Sequence, residues 1–103
     1  MAIVELDDDT FESRISEGLV LVDFWAEWCV SCKGLALAMN QLSAEMRGVR
    51  FCTVNADENP GTTISQSVSS VPTLALYRNG ELVDRVTGAI PKERIRKVIE
   101  AHL

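Results

Sequence analysis

Leu19-Val20-Leu21-Val22-Asp23-Phe24-Trp25 is a run that is apolar on both faces apart from one carboxylate, and it leads through Ala26-Glu27-Trp28 into Cys29-Val30-Ser31-Cys32. A strand with no polar face belongs in the middle of a sheet that helices cover on each side, usually a parallel sheet. Beyond the cysteines, Leu35, Met39, Leu42 and Met46 recur at helical spacing, with Gly48 placed to end the helix. The two cysteines therefore sit where a buried strand gives way to an amphipathic helix.

Working outward, Ile3-Val4-Glu5-Leu6 alternates as a short half-buried strand. Asp9-Thr10-Phe11-Glu12 reads as a capping box, and the helix it opens puts Phe11 and Ile15 on one face and stops near Gly18. On the other side, residues 49–55 form a second buried strand, and Asn59-Pro60-Gly61 is turn chemistry followed by one or two helical turns over 62–67. Residues 73–77 and 81–86 flank Arg78-Asn79-Gly80, whose Asn-Gly step is a strong hairpin signal. Pro91 lies near the first turn of a last helix with Ile95, Val98 and Ile99 on its inner face. The order β-α-β-α-β-(α)-β-β-α predicts an α/β fold. Its central mixed sheet has about five strands with helices on both faces, in a single domain over residues 1–103.

Composition narrows the function classes. The 103 residues carry a net charge of −5 and no basic stripe, so phosphate backbones repel the surface and nucleic-acid binding is excluded. The first nine residues lack the basic and apolar regions of a secretory signal, and the longest apolar run, broken by Asp23, is too short to span a bilayer. The expected compartment is the cytosol, with no membrane association. An odd count of three cysteines argues against a disulfide framework there.

A thiol at a helix N-terminus meets unpaired backbone N–H groups and the positive end of the helix dipole, which stabilise an anion. The thiolate is the attacking species in disulfide exchange, so Cys29 is expected to be the exposed nucleophile with a depressed pKa. Cys32, one turn deeper, is the shielded resolving thiol. Two plainer readings stand beside this one. A Cys-x-x-Cys can be half of a zinc site, although Cys52 and His102, the remaining candidates, lack ligand spacing. It can also be a structural disulfide. No metal and no cofactor are expected. Asp23 is a carboxylate in an apolar strand; its pKa should be raised by burial, which suits a general base. Trp25 reads as packing beside the site, Cys52 as a small buried hydrophobe, and His102 as a tail residue near a helix C-terminus.

Leu21-Val22-Asp23-Phe24-Trp25-Ala26-Glu27-Trp28-Cys29-Val30-Ser31-Cys32-Lys33 resembles the active-site segment of the thioredoxin family. The likeness continues in Asn59-Pro60-Gly61, Ser70-Val71-Pro72-Thr73-Leu74, Arg78-Asn79-Gly80 and Gly88-Ala89, in the family's order over nearly the whole chain. The resemblance implies a thioredoxin fold and a thiol–disulfide oxidoreductase that reduces protein disulfides through Cys29 and Cys32. It implies that Asp23 helps deprotonate Cys32, and that Val71-Pro72 is a cis-proline turn against the cysteines. Trp28, Val71, Pro72, Gly88 and Ala89 would form an apolar docking surface, with the backbone of Val71 pairing with an extended substrate. The implied partners are disulfide-containing proteins and a thioredoxin reductase or similar protein electron donor, since no nucleotide fingerprint is present; the chain is expected to act as a monomer. A thioredoxin-like binding or folding-assistance module, whose surface matters more than its thiols, is the alternative.

Three positions depart from the family's pattern. Val30-Ser31 stands where Gly-Pro is usual, which removes a fixed φ, adds a backbone N–H and offers a hydroxyl to the Cys29 thiolate. These changes favour the dithiol and predict a less reducing protein; Lys33 adds local positive potential. Leu37 replaces a helix proline and predicts a straighter helix. Thr53 replaces the lysine often paired with the buried aspartate, which predicts a higher Asp23 pKa.

Overall fold

Leu19–Trp25 takes the centre of the sheet in a computed structural model that describes residues 3–103. The strands are β1 (Val4–Leu6), β2 (Leu19–Trp25), β3 (Arg50–Asn55), β4 (Thr73–Arg78) and β5 (Glu81–Thr87); the helices are α1 (Phe11–Arg14), α2 (Val30–Glu45), α3 (Pro60–Ser65) and α4 (Lys92–Glu100). The sheet order is β1-β3-β2-β4-β5. β3 runs parallel to both β1 and β2, while β4 is antiparallel to β2 and β5. The expected mixed five-stranded α/β sheet is present.

The period of two along β2 divides the core between the faces. Leu19 and Leu21 join Leu35, Met39 and Leu42 of α2 and Ile95 and Ile99 of α4 on one side. Val20, Val22 and Phe24 join Phe11, Ile15, Cys52 and Tyr77 on the other. There Phe11 sits edge-on to Tyr77 with centroids 5.6 Å apart, a geometry aromatic pairs favour. By the same alternation Asp23 lies on the α2 side, under the helix that carries Cys32.

Local details depart from expectation where the capping group is not the nearest candidate. α1 is only four residues, and Asp7, rather than Asp9, receives its entry. The Asp7 carboxylate accepts from the backbone N–H groups of Asp9 and Thr10, each at 2.9 Å. An Asx-turn thus begins two residues before the expected box. α3 begins at Pro60 rather than after Gly61, because proline at the first helical position forfeits no bond. Asp8 caps it from a distant loop, accepting from the N–H of Gly61 at 3.2 Å and of Thr62 at 2.7 Å. Hydrogen bonds from Thr62 hold the Asp8 carboxyl below its usual range.

α2 ends at Glu45, so Gly48, with φ +82°, serves the turn into β3 rather than the helix cap itself. The helix is continuous through the exposed Leu37. The hairpin forms as expected, with Asn79 at φ 49° and Gly80 at φ 88° between the paired Arg78 and Glu81. Both positive angles suit the right-handed twist of the flanking strands.

Candidate active site

The site grows from the end of β2. The Cys29 N–H donates to the carbonyl of Ala26 at 3.1 Å, which turns the chain out of the strand. Cys29 is the N-cap of α2 in an extended conformation, and its sulfur accepts from the backbone N–H of Cys32 at 3.2 Å. A polar N-cap atom satisfies one of the orphan N–H groups at a helix start; here a sulfur does so. Cys29 and Cys32 are joined by a disulfide with Cα atoms 5.4 Å apart. The Ser31 hydroxyl lies 3.6 Å from the Cys29 sulfur.

One expectation about the pair needs correction. Cys29 is 5% exposed and Cys32 is 3% exposed, so exposure does not separate them in this oxidised state. What distinguishes them is position: Cys29 is the capping group that receives an N–H, and Cys32 lies within the first turn.

The sequence landmarks converge on the pair. Cys29, Cys32 and Ala26 form a buried cluster against which Trp25 and Val71 pack. The Val71-Pro72 peptide bond is cis, and Pro72 is buried. Its carbonyl accepts from the Gly88 N–H at 2.8 Å, which ties the Gly88-Ala89 segment to the turn. Gly88 has φ +94° with open space where a Cβ would point, so its backbone borders solvent. Ala89 is exposed. Trp28 is 69% exposed and Val30 84%, both large apolar side chains at the rim. Lys33 is exposed beside the pair.

Asp23 is only 1% exposed, and among the described residues its Oδ1 has no hydrogen-bond partner. Burial raises its pKa from 3.8 to about 7, since desolvation penalises the charged form. Thr53 is its register partner on β3, half-buried. Asp23, Cys32, Lys33 and Thr53 all line one cleft of about 400 Å³. The cleft thus brings Asp23 and Cys32 to a shared space.

Two contacts were not foreseen. The Trp28 Nε1–H donates to Asp57 at 2.8 Å, which orients the indole at the rim; an indole N–H asks for an acceptor, but the sequence does not say which. His102 is no free tail, since its Nε2 lies 3.1 Å from the Asp84 carboxylate on β5. Cys52 is buried in the core on β3 with its thiol pKa raised by burial, as expected of a small hydrophobe. Among the described residues no three His, Cys, Asp or Glu side chains converge where a metal ion could sit, and no helix is long and apolar enough to cross a membrane.

Two cysteines one helical turn apart, reduced, exchange two electrons with another disulfide and close into the bond seen here. A fold that holds such a pair against an X-cis-Pro turn defines the class of dithiol–disulfide oxidoreductases. The model of the thioredoxin family matches residues 2–101. Thioredoxins of Staphylococcus aureus strains Mu50, MW2 and N315 are each 41% identical to the chain over 104 residues, covering 100% of this chain and 100% of theirs. The chain belongs to the thioredoxin family, and it is a thiol–disulfide oxidoreductase.

Proposed function

We propose that this chain, acting as one unit over residues 1–103, reduces protein disulfides by a two-step exchange in which Cys29 attacks and Cys32 resolves. The observation that carries the assignment is the capping geometry: the Cys29 sulfur already accepts the Cys32 N–H at a helix N-terminus. A thiolate at that atom gains the same hydrogen bond and the helix dipole. The Cys29 thiolate attacks one sulfur of the substrate disulfide, and the other substrate sulfur leaves as a thiolate. Asp23, ionised, takes the proton of Cys32 through their shared cleft. The Cys32 thiolate then attacks the Cys29 sulfur of this mixed disulfide and expels the substrate sulfur bonded to it, leaving the substrate as a dithiol and the protein with the Cys29–Cys32 disulfide.

The substrate lies along Val71-Pro72, flanked by Trp28, Gly88 and Ala89, and pairs with the backbone of Val71 as an added strand. A protein of the thioredoxin reductase kind restores the dithiol, and the chain works as a monomer in the cytoplasm. Turnover of a disulfide-bonded protein by the wild-type chain, with a dithiol reductant as electron source, tests the reading. Absence of turnover would overturn it.

The potential of the pair is set partly by Val30 and Ser31. The Ser31 hydroxyl beside the Cys29 sulfur and the N–H that a proline would lack both stabilise the thiolate, hence the reduced form. The double variant Val30→Gly/Ser31→Pro is expected to be more reducing by on the order of 30 mV, about tenfold in the exchange equilibrium. Equilibration against a glutathione redox buffer measures the shift. An unchanged potential would remove the role given to these residues.

Thr53 leaves Asp23 without a charged neighbour on β3. A cation there stabilises the ionised carboxylate, so Thr53→Lys should lower the Asp23 pKa below about 7. Side-chain carboxyl chemical shifts followed across pH check this directly. A titration midpoint that stays in place would contradict it.

A further inference from the structure

A second cleft, larger than the one that Asp23 and Cys32 line, lies away from the redox site. It has a volume of about 840 Å³ and lies between the end of α1, the start of β2, the end of α2 and the start of β3. The cysteine pair follows the other end of β2 and opens the other end of α2. A 16-residue helix rises by roughly 24 Å at 1.5 Å per residue, so the two sites are well separated.

The charge around this cleft runs against the rest of the molecule. The chain carries −5 overall, yet Arg14, Arg47 and Arg50 line the cleft against a single lining carboxylate, Glu17. Two net positive charges remain. None of the three guanidinium groups forms a carboxylate ion pair among the described residues, whereas Lys92 and Arg96 are paired with Glu45. Arg50 is held in place by the backbone carbonyls of Arg14 and Glu17, which fixes one cation without neutralising it. Three like charges gathered on an otherwise acidic surface repel each other unless an anion completes the arrangement.

We infer that this cleft binds a phosphate-bearing small molecule, with Arg14, Arg47 and Arg50 holding the phosphate. A carboxylate offers two oxygens, enough for one guanidinium fork. A phosphate monoester offers three terminal oxygens and carries about −1.5 to −2 charge near neutral pH, which matches the net charge of the cleft. The volume is within the range of small-molecule sites, roughly 300–1,000 Å³. The exposed Val4 and the half-buried Met46 and Val49 on the walls provide apolar surface for the rest of such a ligand.

Backbone amide shifts of the oxidised wild-type protein, titrated at low and constant ionic strength, test this. The probes are inorganic phosphate, pyrophosphate and adenosine monophosphate, with sodium chloride and acetate as controls. Saturable shifts at Arg14, Gly18, Arg47 and Gly48 are expected with at least one phosphate probe, and none with the controls. Arg47 is exposed, so Arg47→Gln should fold normally while weakening binding at least tenfold; Arg47→Lys should recover part of it. Absence of saturation by all three phosphate probes would overturn the inference. So would acetate binding as tightly as phosphate, or shifts that Arg47→Gln leaves unchanged. Disulfide reductase activity of Arg47→Gln should equal that of wild type, which separates this site from the redox site.

Discussion

Cys29→Ser is expected to lower disulfide reductase turnover by on the order of 10³-fold or more, the scale on which loss of a catalytic nucleophile acts. A serine hydroxyl is not ionised near neutral pH, so the helix N-terminus has no anion to stabilise. The loss should be chemical rather than structural. Serine is among the favoured N-cap residues, so it can accept the Cys32 N–H that the Cys29 sulfur accepts now. The helix should therefore persist, and unfolding of the variant should match that of the reduced wild type within about 1 kcal/mol. Turnover of a disulfide-bonded protein, measured beside urea unfolding, separates the two effects. Activity within tenfold of wild type would mean that another group attacks.

Asp23→Asn is expected to stabilise the protein at pH 8 while slowing resolution. Asp23 has a pKa of about 7 in the folded protein against 3.8 as the unperturbed value. Between these values the folded state holds a proton that the unfolded chain has released. Stability is therefore greatest at acid pH with respect to this group and falls as pH rises, levelling off above about pH 7. The difference between about 7 and 3.8 corresponds to about 4 kcal/mol, since each tenfold change in proton affinity is about 1.36 kcal/mol. Asparagine has no proton to lose, so the variant should gain on the order of 2–4 kcal/mol over wild type at pH 8 and converge with it near pH 4. Urea unfolding of the oxidised proteins from pH 4 to pH 9 measures the difference. A gap that does not change with pH would refute the burial argument. Without the base, the step that expels substrate should slow by on the order of 10²-fold.

Central features of the fold can be read locally because they depend on local periodicity. The two-faced apolar run of β2 could only lie inside, and it divides its residues between two cores as a period of two requires. The Asn79-Gly80 turn follows from residues that tolerate positive φ. Entry into α1 is not legible locally, because Asp7, Asp8 and Asp9 stand in a row and spacing alone cannot allot them. Asp7 begins the turn, while Asp8 is committed to α3 more than fifty residues away. That second commitment exists only after folding.

The site shows the same division. The Cys29–Cys32 pair, Asp23, Thr53 and the Val71-Pro72 turn are legible from the sequence and the family resemblance; the fold packs Val71 against the cysteine pair and places Asp23, Cys32 and Thr53 around one cleft. Contacts that complete the rim and the C-terminal end, Trp28 with Asp57 and His102 with Asp84, pair residues distant in sequence and had no local signal. The near-equal burial of the two cysteines has no signal in the sequence either, because it belongs to the closed disulfide, whereas an exposed nucleophile belongs to the reduced, attacking state.

The division of labour within the cysteine pair is tested most directly with reduced Cys32→Ser and a disulfide-bonded protein substrate. Without the resolving thiol, the first exchange should stop at the mixed disulfide. Peptide mapping under non-reducing conditions should find the substrate joined to Cys29, with Cys52 still free in the core. Attachment at Cys52, or no covalent adduct at all while Cys29→Ser forms one through Cys32, would contradict the assignment of attack to Cys29.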